Sequence, residues 1–182
     1  MHHENIEQLI ARRYASAHGA VPASDYPHFC MISTGDLPSA VLGFRAASQG
    51  RLFLEDYLDR PIEDLVSDLY GRAIARERIV EIGAHASEQS RATVALWARA
   101  ARYLDGIADV AVAVLTAPLR GMFDRLGIEV VELCDADPAR LPDAGVSWGQ
   151  YYELGPKVCA GLIAPARPKL ASFDDGVAGV CA

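Results

Sequence analysis

No apolar run in the 182 residues approaches the roughly 18–20 needed to span a bilayer. The opening residues, Met1-His2-His3-Glu4-Asn5, carry no apolar stretch of the kind a secretory leader uses, so the expected compartment is the cytoplasm. Lysine is nearly missing, with Lys157 and Lys169 beside 15 arginines. A formal net charge of −7 leaves no basic excess for a phosphate backbone, which excludes nucleic acid as the main partner. The four cysteines, Cys30, Cys134, Cys159 and Cys181, form no C-x-x-C pair, and no histidine stands at zinc spacing. They are therefore expected as free thiols, buried or in the tail, with no metal bound. Also missing are a G-x-S-x-G elbow and an H-E-x-x-H helix, which removes the serine hydrolase and metalloenzyme classes, and no dinucleotide or Walker phosphate loop appears.

What is present is a packed chain, 51% hydrophobic and 23% charged. Ile6, Leu9, Ile10, Tyr14 and Ala17 recur at helical spacing, so a first amphipathic helix is expected over Glu4–His18, stopped by Gly19. Phe29–Ser33 reads as a short strand followed by turn chemistry at Gly35-Asp36. Ala40–Ala47 and Leu52–Leu58 read as two strands of a hairpin joined through Ser48-Gln49-Gly50. Pro61 opens a second helix that runs to about Tyr70, before Gly71. Ile79–Ala86 is a further strand, and Ser87 or Ser90 caps a long helix ending at Leu104. Val110–Ala117 is a nearly continuous apolar run, typical of a strand covered on both faces. A helix from Pro118 to about Gly127, a strand at Glu129–Leu133 and a polar loop over Asp135–Gly145 follow. Two last strands are expected around Gly155-Pro156, within Trp148–Ile163. One domain is expected over 1–163, and residues 164–182 read as a flexible C-terminal tail. The expected class is α/β, with a mixed central sheet, antiparallel at first and parallel in the middle, and helices on both faces.

This order matches the GNAT acyltransferase fold. The stretch Ala111-Val112-Ala113-Val114-Leu115-Thr116, then Leu119, Phe123 and Leu126-Gly127-Ile128, is similar to its second half. More specifically, the sequence resembles the thermostable hemolysin family. The segments that carry the resemblance are Gly43-Phe44-Arg45-Ala46-Ala47, Leu52-Phe53-Leu54-Glu55-Asp56-Tyr57-Leu58 with Pro61-Ile62-Glu63, Arg78-Ile79-Val80-Glu81-Ile82-Gly83, and Trp148-Gly149-Gln150-Tyr151-Tyr152 with Pro156, Val158 and Gly161. The family's fold resembles acyl-homoserine-lactone synthases and N-acyl amino acid synthases. The resemblance implies an N-acyltransferase that moves an acyl group from a thioester to a small amine or amino-acid-like acceptor. Three departures accompany it. Ala84-His85-Ala86 stands where the family has Asn-Leu-Ala, no glycine lies between Gly83 and Gly106, and Phe123 occupies the place where many GNAT enzymes have a tyrosine acid.

Such a reaction needs a base for the amine and donors for the carbonyl oxygen. Strand alternation puts Glu81 on one face with Ile79 and Gly83, and a carboxylate in an apolar strand is either functional or satisfied by Arg45 or Arg78. Arg45 grips an acceptor carboxylate or forms an ion pair with Glu55 or Glu81. His85 ends the same strand and is a further candidate base. Backbone groups at His85 and Ala86, with Ser87, Ser90 and Arg91 at the next helix start, are candidates for the thioester arm and its phosphate; simple helix capping is the alternative. Glu55, Tyr57, Trp148, Tyr151 and Tyr152 are candidate substrate-binding residues, the aromatics as core or as channel wall. Glu55 and Asp56 would point to opposite sheet faces, with Glu55 the one toward the pocket.

No tightly bound cofactor is expected. The co-substrate is acyl-phosphopantetheine on an acyl carrier protein, or acyl-CoA. Without glycines before the long helix the carrier protein is favoured, and the six arginines from Arg72 to Arg102 would meet its acidic surface, unless they are solvated and internally paired. Two other readings stay open. One is an autoinducer-type synthase using S-adenosylmethionine, although the first 35 residues lack tryptophan. The other is a membrane-active protein without catalysis, using Trp97 among Arg91, Arg99 and Arg102 as a surface helix but without stable membrane insertion. The transferase reading requires two neighbouring parallel strands to part beside Glu81.

Overall fold

The computed structural model describes residues 2–20, 25–35, 37–143, 145–174, 176 and 178–182. The expected turn residue Asp36, and Ala144, Asp175 and Val177 of the expected loop and tail, lie outside them. Helix α1 (His2–His18) buries Ile6, Leu9 and Ile10 against Met31, Val41 and Ala86. Strands β1 (His28–Thr34) and β2 (Leu37–Ala46) pair antiparallel. Helix α2 (Ile62–Tyr70) follows Pro61 and ends at Gly71, whose φ of 62° only glycine adopts without strain. Strand β3 (Ile79–Ser87), helix α3 (Ser90–Leu104) and strand β4 (Val110–Leu115) form a parallel crossover; β3 pairs antiparallel with β2 and parallel with β4. Helix α4 (Ala117–Arg125), strands β5 (Val131–Asp135) and β6 (Lys157–Leu162), helix α5 (Ile163–Leu170) and strand β7 (Gly179–Cys181) complete the chain.

The sheet order is β5-β6-β4-β3-β2-β1-β7, antiparallel everywhere except between β3 and β4. Val80 packs with Leu96, Trp97, Leu104 and Ile163 on the face covered by α3, α4 and α5. Ile79, Val110 and Val112 pack with Leu54, Ile62 and Val66 on the other. Burying each such side chain stabilises by about 1.5–3 kcal/mol, so the two-sided burial of β3 and β4 dominates this core. The class is α/β with a mixed sheet and helices on both faces, as the element order implied.

Several local expectations fail. Leu52–Leu58 is not a strand. Phe53–Tyr57 is a 3₁₀ helix, because the Glu55 carboxylate takes the Leu52 N–H at 2.8 Å and Arg76 clamps Glu55 from outside. The hairpin is therefore missing, and β2 lies between β1 and β3 in the sheet. Residues 148–155 are not a strand either. Val146–Trp148 and Tyr151–Leu154 form 3₁₀ turns separated by Gly149, which lies where a Cβ would collide with the His18 carbonyl oxygen. The Gln150 N–H donates to that same carbonyl at 2.8 Å. Neither Ser87 nor Ser90 caps α3. Gln89 is the capping residue, with no side-chain bond, and the Ser87 hydroxyl donates to its carbonyl at 2.9 Å.

Where it is described, the tail expected over 164–182 carries regular elements. Pro165 falls in the first turn of α5, where its missing N–H is harmless, and β7 adds to the edge of β1 with Cys181 opposite Cys30. These two cysteines form a disulfide, contrary to the free thiols expected; Cys134 and Cys159 remain free. Ion pairs from Arg99 (2.6 Å) and Arg102 (3.0 Å) tie Asp174 to α3. No described helix is long and apolar enough to cross a membrane.

The disulfide closes a loop of 151 residues, so its loss widens the unfolded ensemble considerably. Cys181→Ser is expected to destabilise by about 2–5 kcal/mol in urea unfolding, matched by dithiothreitol on the wild type and absent when the variant is itself treated.

Candidate active site

The sheet opens at its centre. Strands β3 and β4 pair from Ile79↔Val110 to Ile82↔Ala113 and then part. Beyond that point β3 is held by β2, through Gly43↔Gly83 and Val41↔Ala86, while Val114 and Leu115 of β4 stay paired with β6. A cavity of about 810 Å³ passes through the gap and reaches both faces of the sheet. On the α1 side it is lined by Tyr14, Tyr26, Arg45, Phe53, Glu81 and Trp148, among others. On the other side it runs between small strand residues, Ala111, Ala113 and Gly161, and an apolar wall that includes Trp97, Phe123 and Leu170.

A bulge in β3 sets which residues face which side. The β2–β3 register shifts between Val41 and Gly43, and Ala84 takes a φ of 48°, a left-handed conformation that strains a residue with a Cβ. Ala84 and Ala86 consequently pack toward α1, and His85 is thrown to the α3 side. Regular alternation would have left His85 on the face of Glu81. Its ring lies 6.0 Å from Trp97, which stacks on Phe123 at 4.1 Å. The His85 Nε2 is buried with no hydrogen-bond partner among the described residues, and burial lowers its pKa to about 4. The imidazole is neutral near pH 7.

Glu81 is 2% exposed. One carboxylate oxygen accepts the Phe53 N–H at 3.1 Å and the other the Leu54 N–H at 2.8 Å, at the start of the 3₁₀ helix. Neither of the arginines expected to satisfy it does so by direct bonding. Arg78 pairs with Asp109 at 2.6 Å, and Arg45, opposite Glu81 in the register, donates to the carbonyls of Arg51 (3.3 Å) and Asp25. Burial raises the Glu81 pKa, against the pull of the two N–H groups and Arg45. Each oxygen keeps a lone pair for a further donor.

Tyr26 is a component that sequence reasoning missed. Its ring lies across the paired glycines Gly43 and Gly83, and a Cβ at Gly43 would come within 2.6 Å of it. The Arg45 guanidinium sits 6.0 Å from the ring centroid, and burial, then Glu81, push the phenol pKa well up, so the group is a donor. The glycine pair was the available signal, since two facing glycines mark a close approach.

Glu55 is not in the site. Its carboxylate is gripped by two Arg76 nitrogens at 2.8 and 2.7 Å and accepts the Leu52 N–H, and Arg76 foremost lowers its pKa to about 2. Asp56, not Glu55, lines the cavity mouth, paired with Arg51 at 2.9 Å. Tyr57, Trp148 and Tyr151 line the cavity; Tyr152 connects to it through its hydroxyl, 2.5 Å from that of Tyr57. Ala86 and Ser87 line it as well, whereas Ser90 and Arg91 are exposed and are not lining residues. The arginine cluster is largely consumed internally. Arg72 and Arg78 pair with Asp109, Arg76 with Glu55 and Glu63, and Arg99 and Arg102 with Asp174. Among the described residues no group of three or more His, Cys, Asp or Glu could hold a metal ion.

The family model for thermostable hemolysin matches residues 1–167. No curated protein matches the sequence. Among solved structures, the chain is similar to TofI in a ternary complex with an inhibitor and MTA, at 13% identity over 94% of this chain and 92% of that one, with a TM-score of 0.61. It is similar to FeeM, an N-acyl amino acid synthase from uncultured soil microbes, at 11% identity, 92% and 94% coverage and a TM-score of 0.60. BjaI, a CoA-dependent acyl-homoserine lactone synthase solved with SAM and isopentyl-CoA, gives 14% identity, 95% and 82% coverage and a TM-score of 0.56. At these identities the likeness is one of fold.

Between pH 6.5 and about 4 the unfolded chain binds a proton at residue 85 that the folded chain refuses, so stability falls as pH drops through that window and levels off below it. His85→Phe is expected to remove up to about 3 kcal/mol of this pH dependence, measured as the difference between wild-type and variant unfolding free energies at pH 7 and pH 4.

Proposed function

The chain belongs to the thermostable hemolysin family, and from that premise we propose that it is an N-acyltransferase in which a thioester arm lies in the gap between β3 and β4. The observation that carries this reading is the cavity that crosses the sheet there, with the buried Glu81 carboxylate on one side and an apolar wing on the other. The acceptor amine enters on the α1 side. Burial makes Glu81 a better base than an exposed carboxylate, and it takes the amine proton directly or through water. Backbone N–H groups of β3 beyond Ile82 no longer face a β4 partner, and these receive the carbonyl oxygen and the amides of the arm. The acyl chain occupies the apolar wing beside Ala111, Ala113 and Gly161. Transfer is direct. The cavity-lining thiol of Cys159 is pushed up to about 12 by burial and is no nucleophile near neutral pH.

The donor is an acyl-phosphopantetheine thioester, on coenzyme A or on a carrier protein. BjaI is described as CoA-dependent, which supports coenzyme A as one such carrier. A carrier protein would not meet a free arginine cluster, because five of those six arginines bond to acidic groups of this chain. Arg45, with Arg13 and Arg51, places cationic groups at the mouth for an acceptor carboxylate. Asp25, Asp56 and the rings of Tyr14, Phe53 and Trp148 would also accept a cationic acceptor, which keeps S-adenosylmethionine as the second reading. The membrane-active reading loses its main support, since Leu96, Trp97 and Ala98 of α3 are buried in the core.

The test combines the purified chain with acyl-CoA or acyl-carrier protein and pools of amines, amino acids or S-adenosylmethionine, and follows thiol release and new amides by mass spectrometry. Amide formation is expected, with kcat/KM rising with pH through a Glu81 pKa above the ordinary 4.5. Glu81→Gln should lose about 10²–10⁴ in kcat. A folded Glu81→Gln variant with the wild-type rate removes Glu81 from the chemistry, and a wild type that releases no thiol with any donor ends the transferase reading.

A further inference from the structure

The gap between β3 and β4 is flanked from both faces of the sheet, Glu81 on one and His85 on the other, because the bulge at Ala84 reverses the direction of the side chain that follows. Charge develops in two places during acyl transfer. The amine nitrogen becomes positive as it attacks, and the sulfur becomes negative as it leaves. Glu81 answers the first. On the His85 side the cavity wall is dominated by Trp97, Phe123 and Leu119, of which Trp97 alone carries a donor, its indole N–H. Two neighbouring hydroxyls are already committed. That of Thr93 donates to the Gln89 carbonyl at 3.3 Å and that of Ser87 to the same oxygen at 2.9 Å. His85 lines the cavity, and its Nε2 has no partner among the described residues. A buried imidazole nitrogen left unpaired costs about 1–3 kcal/mol, a cost that a ligand atom at this place would relieve.

Resting on the transferase reading above, we propose that His85 is a second catalytic residue, whose neutral imidazole N–H donates a hydrogen bond to the departing sulfur of the thioester. The amine nitrogen forms the new C–N bond, and the C–S bond breaks with its electron pair remaining on sulfur. The amine proton passes to Glu81, and the thiolate takes its proton from solvent after leaving. His85 keeps its own proton throughout. With a pKa near 4 it is neutral in the working range, and it acts as a fixed dipole rather than as a net acid. Its neighbours fit that role, because the Trp97 ring beside it and the Phe123 ring stacked on Trp97 exclude the water that would otherwise solvate the thiolate.

Leaving-group dependence separates this role from a packing role. The full-length protein is assayed with one acyl group carried on two thiols, an alkyl thioester of pantetheine and an aryl thioester whose thiolate leaves without help. His85→Phe, which keeps a ring beside Trp97, should lower kcat for the alkyl thioester about 10²-fold and for the aryl thioester no more than about threefold, with KM little changed. His85→Gln, which retains an N–H donor, should recover part of the loss. Equal losses on both thioesters, or no loss on either, overturn the proposal and leave acyl transfer standing. No turnover of either thioester by the wild type overturns both.

Discussion

Beyond Ile82 and Ala113 the two parallel strands at the centre of the sheet stop exchanging hydrogen bonds, and the rest of the molecule is arranged around that parting. A parallel pair inside an α/β sheet is ordinarily sealed on both faces by helices. Here each strand is instead held apart by its outer neighbour, β3 by β2 and β4 by β6. The glycine pair Gly43 and Gly83 lets Tyr26 lie against the strands, and the small residues of β4 and β6 keep the other wall of the gap open. The bulge at Ala84 belongs to the same device, since it places polar groups on both sides of one opening.

Two buried carboxylates show how environment divides their roles. Glu55 and Glu81 both accept backbone N–H groups of the segment around the 3₁₀ helix. Glu55 also meets a two-pronged arginine and is held ionised, so it acts as a clamp. Glu81 has no such direct partner, and burial outweighs its hydrogen bonds, so its proton affinity rises. The contrast decides between them as bases, because a carboxylate held at about 2 is a poor proton acceptor. It also couples the site to the fold, since Glu81 orders the 3₁₀ helix that brings Phe53 and Tyr57 to the cavity.

The C-terminal segment extends past the family match at residue 167. Helix α5 contributes Ala166 and Leu170 to the cavity wall, and β7 covers the edge of β1 through pairing and the Cys30–Cys181 disulfide. An uncovered β1 would present unpaired N–H and C=O groups along its length. The strand thus protects an edge while the helix before it shapes the apolar wing.

Much of the frame was legible in order and pattern. The stripe of Ile6, Leu9 and Ile10, the Pro61 start and Gly71 end of α2, and the apolar run from Val110 are local signals, and each forms where its spacing directs. Glu81 stood out as a charge inside an apolar strand, and the motifs around Gly43, Glu81 and Trp148 pointed to the family. Only the tertiary structure decided what depends on partners far away in the chain. Leu52–Leu58 has the composition of a strand, yet the distant Glu81 carboxylate takes the Phe53 and Leu54 N–H groups, the segment's own Glu55 takes the Leu52 N–H, and Arg76 clamps Glu55, so a 3₁₀ helix forms. His85 shares a strand with Glu81, but the register of β2 against β3 chooses its face. Cys30 and Cys181 have no local cue, because a three-residue strand beginning in glycine is too short to show a period and their meeting is a property of the sheet edge. Local pattern selects elements, whereas hydrogen bonds and pairings across long separations select the direction in which each side chain points.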